Sequence, residues 1–298
     1  MSALLSEIVT LHRAQLRGLI EVRGVARMKK IYAEARAELE GRLAALKKAG
    51  RGQTFGAQQL SQVLVQVADV ARGFEGDLEN HLKDVGGRAG ALAPRQLVST
   101  IARMEAAYGR TTPVVQAAQA AVALGAYPKV APSLLSRYRS SARLYGPQAV
   151  GAIQRRLALS IVQGEGIDDA VDRVAGVNGL FAGQRWRAER IVRTEMHYTV
   201  GVTTQVGLMD LRGKVPKLMK RWVETFDDRT GEDSKELNGQ TVPVDQPFVW
   251  VVKDSRGRPT GKTVRMLQGP NRPNDRSVCV PFLPHWGGEG LGPVGDQA

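Results

Sequence analysis

The chain has one cysteine, Cys279, in 298 residues. That excludes an internal disulfide framework and a zinc site made of cysteines alone. Aromatic residues make up only 5% of the sequence, so a core must be built mostly from aliphatic side chains. No run of about 18 apolar residues occurs, and no membrane span is expected. The opening MSALLSEIVTLHRAQL is broken by Glu7, His12 and Arg13 and lacks the basic-then-apolar layout of a secretory leader. An intracellular site of synthesis is therefore expected. Acid is also in short supply: 42 Lys and Arg face 29 Asp and Glu, a formal charge of +13. Such a surplus favours polyanionic partners.

The basic residues are not gathered in a tail. Arg137, Arg139, Arg143, Arg155 and Arg156 lie between Leu134 and Arg156 with no acid among them. A second group, Lys253, Arg256, Arg258 and Lys262, belongs to a stretch in which seven Lys and Arg meet only Asp254 and Asp275. These nine residues are candidate phosphate contacts, whose affinity would fall steeply with salt. Solvated faces that keep the protein soluble would use the same residues. Tyr138 and Tyr145 sit among the arginines as candidates for stacking on bases. Nothing resembles a base-reading motif such as a zinc finger.

The first half reads as helices. Met28, Tyr32, Ala35, Leu39, Leu43 and Leu46 recur every three or four residues, one face of a helix. Leu60, Val63, Val67, Val70, Phe74, Leu78 and Leu82 repeat the pattern. The apolar stripe is wider than a coiled-coil seam, which favours a bundle. Residues 1–31 would also suit an amphipathic helix on a membrane surface. Thr54 is a candidate cap, and the run Gly86-Gly87-Arg88-Ala89-Gly90 followed by Pro94 predicts the end of the second helix. Gly164-Glu165-Gly166 before Ile167 reads as a joint between helices. A phosphate cradle there lacks the preceding strand, and Asp168 and Asp169 would repel the anion. A long helix follows over 184–208, with Trp186, Ile191, Thr194 and Tyr198 as its expected buried face. Beyond Pro216 the period shortens to two around Trp222, 247–252 and 262–266, with 254–261 as a hairpin loop. The spacing predicts an α+β chain: a predominantly helical body over 1–148, a small α+β region over 149–286 and a loose tail over 287–298.

Three groups of residues invite chemistry. Asp227, Asp228, Glu232 and Asp233 could hold a hard cation, but their spacing is not an EF-hand, and Asp228 and Thr230 suit a turn and a cap. Glu195 and His197 are two apart on a helix and do not face each other; with Asp228 they are the residues an enzyme reading, nuclease or transferase, would use. Arg193, Thr194 and Glu195 are expected instead to tie the helix to the β region by buried hydrogen bonds. Cys279 and His285 would supply two ligands of a soft metal, short of the four a closed site needs. The apolar neighbours Val278, Val280, Pro281 and Phe282 make Cys279 a core residue. No cofactor and no metal is expected, and the chain is expected not to be an enzyme.

The order of these pieces carries a resemblance. Arg193-Thr194-Glu195, Trp222, Asp228-Arg229-Thr230, Leu237-Asn238-Gly239, Phe248, Pro270 to Pro273 and Cys279-Val280-Pro281 resemble the phage head morphogenesis family, the minor head proteins named after the F protein of phage Mu. The likeness covers about residues 150–285, with Gly164, Gly166 and Asp168–Val174 matching its usual lead-in. Two departures stand out: Ser234 where the family often has His or Cys, and Asp275-Arg276-Ser277-Val278-Cys279 where it often ends in N-C-R-C. Some toxins carry a similar module beside a separate catalytic domain, and no such extra domain is seen in this sequence. The resemblance implies a minor capsid component in the virion head, made in the host cytoplasm. It would act with the portal protein and a major capsid or scaffold protein, and contact packaged double-stranded DNA. The alternatives are the enzyme just described, or a nucleic-acid-binding protein unrelated to virions.

Overall fold

The computed structural model describes residues 3–50, 53–108, 113–123, 125–224, 232–254, 256–269 and 277–286. The described chain is mostly helical with a small C-terminal sheet region, the α+β class read from the sequence. Helix α1 (Ala3–Gly18) runs through a π-helical segment, Leu19–Val25, into α2 (Ala26–Ala49). Then come α3 (Ala57–Ala107), α4 (Pro113–Ala123), α5 (Ala126–Arg143), α6 (Tyr145–Val162), α7 (Ile167–Ala175) and α8 (Arg185–Arg212). No described helix is long and apolar enough to cross a membrane.

The chain divides into two compact units. One holds residues 1–19, 86–134 and 194–298; the other holds 20–85 and 135–193. The division does not follow the expected boundary at 148/149. Reading a chain in order treats consecutive helices as one body, whereas α3, α5 and α8 each contribute to both units. The expected tail, 287–298, lies outside the described residues.

The unit of 20–85 and 135–193 is helical. The periodic residues of α2 and α3 are its interior: Met28, Tyr32, Leu39, Leu43, Val63, Val67, Phe74 and Leu78 are all buried. At the centre Tyr32 stacks on Phe181, with ring centroids 5.1 Å apart, and meets the edge of Phe74. Tyr145 donates to the Tyr32 hydroxyl at 2.7 Å, and Tyr32 donates to the Phe181 carbonyl. Burial pushes both phenols well above their ordinary range. Tyr145 and Tyr138 are completely buried, so neither is available to stack on a base, contrary to the sequence expectation. An apolar body with one satisfied hydroxyl packs inward even when its neighbours are arginines.

The joint between α6 and α7 is the expected helix–turn–helix. Gly164 has φ +67°, a conformation glycine adopts without a Cβ clash. The joint is pinned by residues 53–55: Phe55 N–H donates to Glu165 O at 2.8 Å and Ile167 N–H to Gln53 O at 3.2 Å. Thr54 pairs with Gly166 in this bridge and does not cap α3, which begins at Ala57.

In the other unit α3 passes through Gly86, Gly87, Gly90 and Pro94, where the sequence predicted its end. The reason is a contact far along the chain. The Tyr127 ring lies so close to Gly90 that a Cβ there would stand 1.9 Å from its Cδ2. Glycine here permits close approach of a ring to the helix backbone. The core of this unit joins Leu5, Ile8, Leu97, Ile101, Met104, Leu208 and Leu211 to Val280, Phe282 and Trp286. Its three-stranded sheet has β1 (Met219–Val223) in the middle, antiparallel to β2 (Thr241–Pro243) and β5 (Val278–Phe282). Helix α9 (Glu232–Leu237) precedes β2. Strands β3 (Phe248–Lys253) and β4 (Pro259–Met266) form the expected hairpin. Each flanking strand of the three-stranded sheet carries a proline, Pro243 in β2 and Pro281 in β5. Proline is tolerated there because an outer strand has a side with no ladder to complete.

Candidate functional site

Trp222, Leu237, Asn238, Gly239, Phe248 and Cys279, all part of the resemblance, meet on or against this sheet. Trp222 lies opposite Cys279 in the β1–β5 register. Trp222 N–H donates to Gln240 O at 2.9 Å, and Gly239 N–H returns to Trp222 O at 2.8 Å. Gly239 has φ +83°, which explains the glycine of the LNG turn. Asn238 Oδ1 accepts from Glu224 N–H at 3.0 Å, so the asparagine side chain stands in for a ladder partner just past β1. Leu237, Phe248 and Cys279 pack around Trp222, and the Phe248 ring meets it edge-on at 5.3 Å. Cys279 is a buried core residue, as its apolar neighbours suggested.

The other motif residues fall elsewhere. Asp227, Asp228, Arg229 and Thr230, Pro270 to Pro273, Asp275 and Arg276 lie outside the described residues, as do the side chains of Glu232, Asp233 and Ser234. Arg193 does not tie its helix to the β region. Its guanidinium bonds Glu21 at 2.9 and 3.2 Å and Glu189 at 3.3 Å, all within the unit of 20–85 and 135–193. Thr194 is half-buried, and Glu195 is buried on α8.

Pattern reasoning missed the buried charges. Lys220 and Arg221 on β1 are buried on opposite faces. Lys220 Nζ donates to Leu267 O at 2.6 Å and to Gln205 Oε1 at 3.1 Å, and it stands 5.1 Å from the Phe248 ring centre. Burial pushes this amine down to about 8. Arg221 lies over the Phe282 ring at 4.0 Å and donates to Thr241 Oγ1. Glu224 accepts from Ser277 Oγ at 2.6 Å and from Trp222 Nε1 at 3.4 Å. Glu105 on α3 accepts from Trp286 Nε1 at 2.6 Å and bonds His285 Nε2 at 2.7 Å. His285 is thus held by a carboxylate rather than paired with Cys279 at a metal. Among the described residues no group of three or more His, Cys, Asp and Glu could hold a metal ion.

Behind β5 lies a cavity of about 40 Å³, room for about three water molecules. His12 and Arg13 of α1, Gln96 of α3, His197 of α8, Ser277 just before β5 and Cys279 of β5 are in its wall. Glu195 is not, so the suggested pair of Glu195 and His197 does not converge on it. Burial, reinforced by the Arg103 guanidinium, pushes the His12 imidazole down from 6.5 to about 4. The unfolded chain therefore takes up a proton near pH 6.5 that the folded chain refuses until about pH 4. Stability is complete above pH 6.5 and is lost as the pH falls towards 4, by at most about 3 kcal/mol from this group. Burial also lowers His81, against the 2.7 Å bond to Gly24 O, so it adds in the same direction. Urea midpoints measured from pH 7 down to 5 should fall, and His12→Gln should flatten the slope. A midpoint unchanged over that range removes the argument.

The candidate phosphate contacts differ in availability. Arg139 is paired with Glu79 at 3.3 Å, Arg258 with Asp254 at 2.9 Å, and Lys253 with Glu236. Arg137 is half-buried, and Arg143 is exposed within the field of Glu75. Arg155, Arg156, Arg256 and Lys262 are exposed, and among the described residues their side-chain charges have no ion pair, although the Arg256 backbone N–H donates to Asp254.

No protein-family model matches the chain, and no solved structure matches it. One curated protein similar to part of it is named NAD(+)--arginine ADP-ribosyltransferase EFV, from Enterococcus faecalis. The two are 34% identical over 88 residues, which is 24% of this chain and 18% of that protein. The chain thus spans about a fifth of the length of the curated relative it matches. The match corrects the expectation that this chain is not an enzyme, since a protein named for catalysis shares a stretch with it. Spacing rules detect only chemistry whose groups are close in sequence, and a site assembled from distant segments leaves no such trace.

Proposed function

We propose that the chain is a minor head protein of the phage Mu F-like kind, acting in procapsid assembly with the portal and with a major capsid or scaffold protein. The observation that carries the reading is the meeting of Trp222, Asn238, Gly239 and Cys279 in one hydrogen-bonded sheet. Pieces that resemble the family in sequence order thereby have one structural job, clasping a buried tryptophan strand. The charge of +13 and the exposed Arg155, Arg156, Arg256 and Lys262 suit a protein that also meets packaged double-stranded DNA. Co-purification tests the reading. The tagged chain, expressed with the portal, capsid and scaffold proteins of its own phage, is expected to sediment with procapsids in few copies per particle. A chain left entirely in the unassembled fraction sinks it.

The match to a protein named as an ADP-ribosyltransferase favours a second reading, in which the shared stretch belongs to a transferase. It requires that the purified chain consume NAD(+). No turnover, with arginine-rich protein offered as acceptor, ends it.

A further inference from the structure

We infer that the first turns of α8 form a contact surface for the phosphate backbone of duplex DNA, organised around Trp186. The inference rests on the proposed role in a DNA-filled head for the identity of the DNA. The binding itself is a property of the isolated chain.

The sequence placed Trp186 on a buried face, yet the residue is 49% exposed. Its ring holds two guanidiniums, Arg187 Cζ at 4.7 Å and Arg190 Cζ at 4.8 Å from the ring centre. Four arginines lie between Arg185 and Arg193, and their charges have different fates. Arg185 is paired with Glu189 at 3.2 Å, and Arg193 with Glu189 and Glu21. Arg187 and Arg190 have no carboxylate among the described residues. Arg187 meets only the neutral amides of Gln184, at 2.7 Å, and Gln148, at 3.4 Å. Two planar cations are thus held against one indole with their charge uncompensated. The first turn of α8 contains no acid, although the helix dipole would favour one there. An arriving anion relieves both the mutual repulsion and the dipole.

The bond to Gln148 extends the surface onto α6. Arg155 is seven residues further, nearly the same helical face and about 10 Å along the axis. Its Nη1 lies 3.6 Å from where a Cβ on Gly151 would stand, so the side chain leans back towards Gln148. Arg155 and Arg156 are exposed and without acidic partners among the described residues. Glu189, between Arg187 and Arg190, is taken up by Arg185 and Arg193, so Arg187, Arg190, Arg155 and Arg156 fit a row of phosphates, which guanidinium forks bind in two-pronged fashion. With two guanidiniums already on the indole, base stacking is not the use of this tryptophan. That favours the duplex backbone over unpaired bases.

The test is fluorescence anisotropy of a labelled duplex of about 20 base pairs with the full chain, from about 50 to 200 mM salt. Binding should weaken steeply with salt. Arg187→Gln with Arg190→Gln should lower affinity about tenfold or more and reduce the salt slope by about two. Trp186→Ala, which releases both guanidiniums, should weaken binding several-fold, and Trp186→Phe should restore most of it. Wild-type affinity and slope in the double variant overturn the inference, as does a wild-type chain that binds no duplex at the lowest salt. A polyglutamate peptide that outcompetes the duplex through the same two arginines also overturns it, and gives the surface to an acidic protein. Should the double variant fail to fold, iodide quenching of the chain with both arginines intact decides. Trp222 and Trp286 are buried and Trp250 is half-buried, so in a Trp250→Phe background quenchable emission comes chiefly from Trp186, and duplex must shield it. Failure of any of these leaves the procapsid result untouched, and failure to enter procapsids leaves duplex binding untouched.

Discussion

Replacing Trp222 with alanine is expected to cost about 4 kcal/mol, the range for removing a fully buried large aromatic. The indole has no exposed surface, meets Phe248 edge-on and lies where a Cβ on Gly269 would come within 2.9 Å of its Cη2. Collapse of the site is opposed on one side by the β1–β5 ladder and on the other by the 237–240 turn, which is hydrogen-bonded to the Trp222 backbone. A cavity that cannot close retains its full cost. Glu224 would also lose the Trp222 Nε1 donor and keep Ser277. Trp222→Phe keeps an aromatic edge and loses the donor, and should cost about 1–2 kcal/mol. Against a total stability of about 5–15 kcal/mol, the alanine variant should show a collapsed denaturation midpoint and rapid amide exchange across β1 and β5. A midpoint equal to that of the unaltered chain would mean that this sheet is not organised around Trp222.

The second large effect concerns Glu105. Its carboxylate serves the indole N–H of Trp286 and the imidazole of His285 at once, while Tyr108, one turn on, donates to the Trp286 carbonyl. Trp286 is 1% exposed, so removing the acceptor strands a buried N–H. Glu105→Ala should cost about 3 kcal/mol, a buried donor left without a partner plus a broken charged bond. Glu105→Gln keeps a carbonyl oxygen in nearly the same place and should cost about 1 kcal/mol. Proteolysis separates this from general loosening: the alanine variant should become cleavable near Leu283 at protease levels that leave the unaltered chain intact. Equal resistance in both would show that the aliphatic packing of Trp286 holds the segment without Glu105.

These two sites also mark what could be read from the sequence. The helices were legible because Met28, Leu39, Val63, Phe74 and Leu78 repeat at the helical period and meet partners on one face. The tryptophan strand, the hairpin over β3 and β4 and the core place of Cys279 followed from alternation and apolar neighbours. Glu105 was not legible, because a lone glutamate in a helix reads as solvated and its partners lie 180 and 181 residues away. Lys220 and Arg221 were not singled out, because neighbouring charges in a strand carry no sign of burial, yet β1 is buried on both faces. Gly90 and Pro94 read as breakers because their compensation comes from Tyr127 and from packing along α3. Trp186 was placed with Ile191, Thr194 and Tyr198 on the expected buried face of its helix, whereas its arginine neighbours hold it at the surface. Except at Trp186, a partner distant in the chain reversed the meaning of the local chemistry.

The prolines of the flanking strands have a consequence for assembly. Pro243 pairs with Met219 and Pro281 with Lys220, and neither has an N–H to offer. A strand from another molecule that tried to lengthen the sheet would find a missing rung on either side. Strand addition, a common way for proteins to capture an extended peptide, is thus discouraged at both margins. A partner at this sheet must instead recognise side chains, and identical copies are kept from zipping together edge to edge across it.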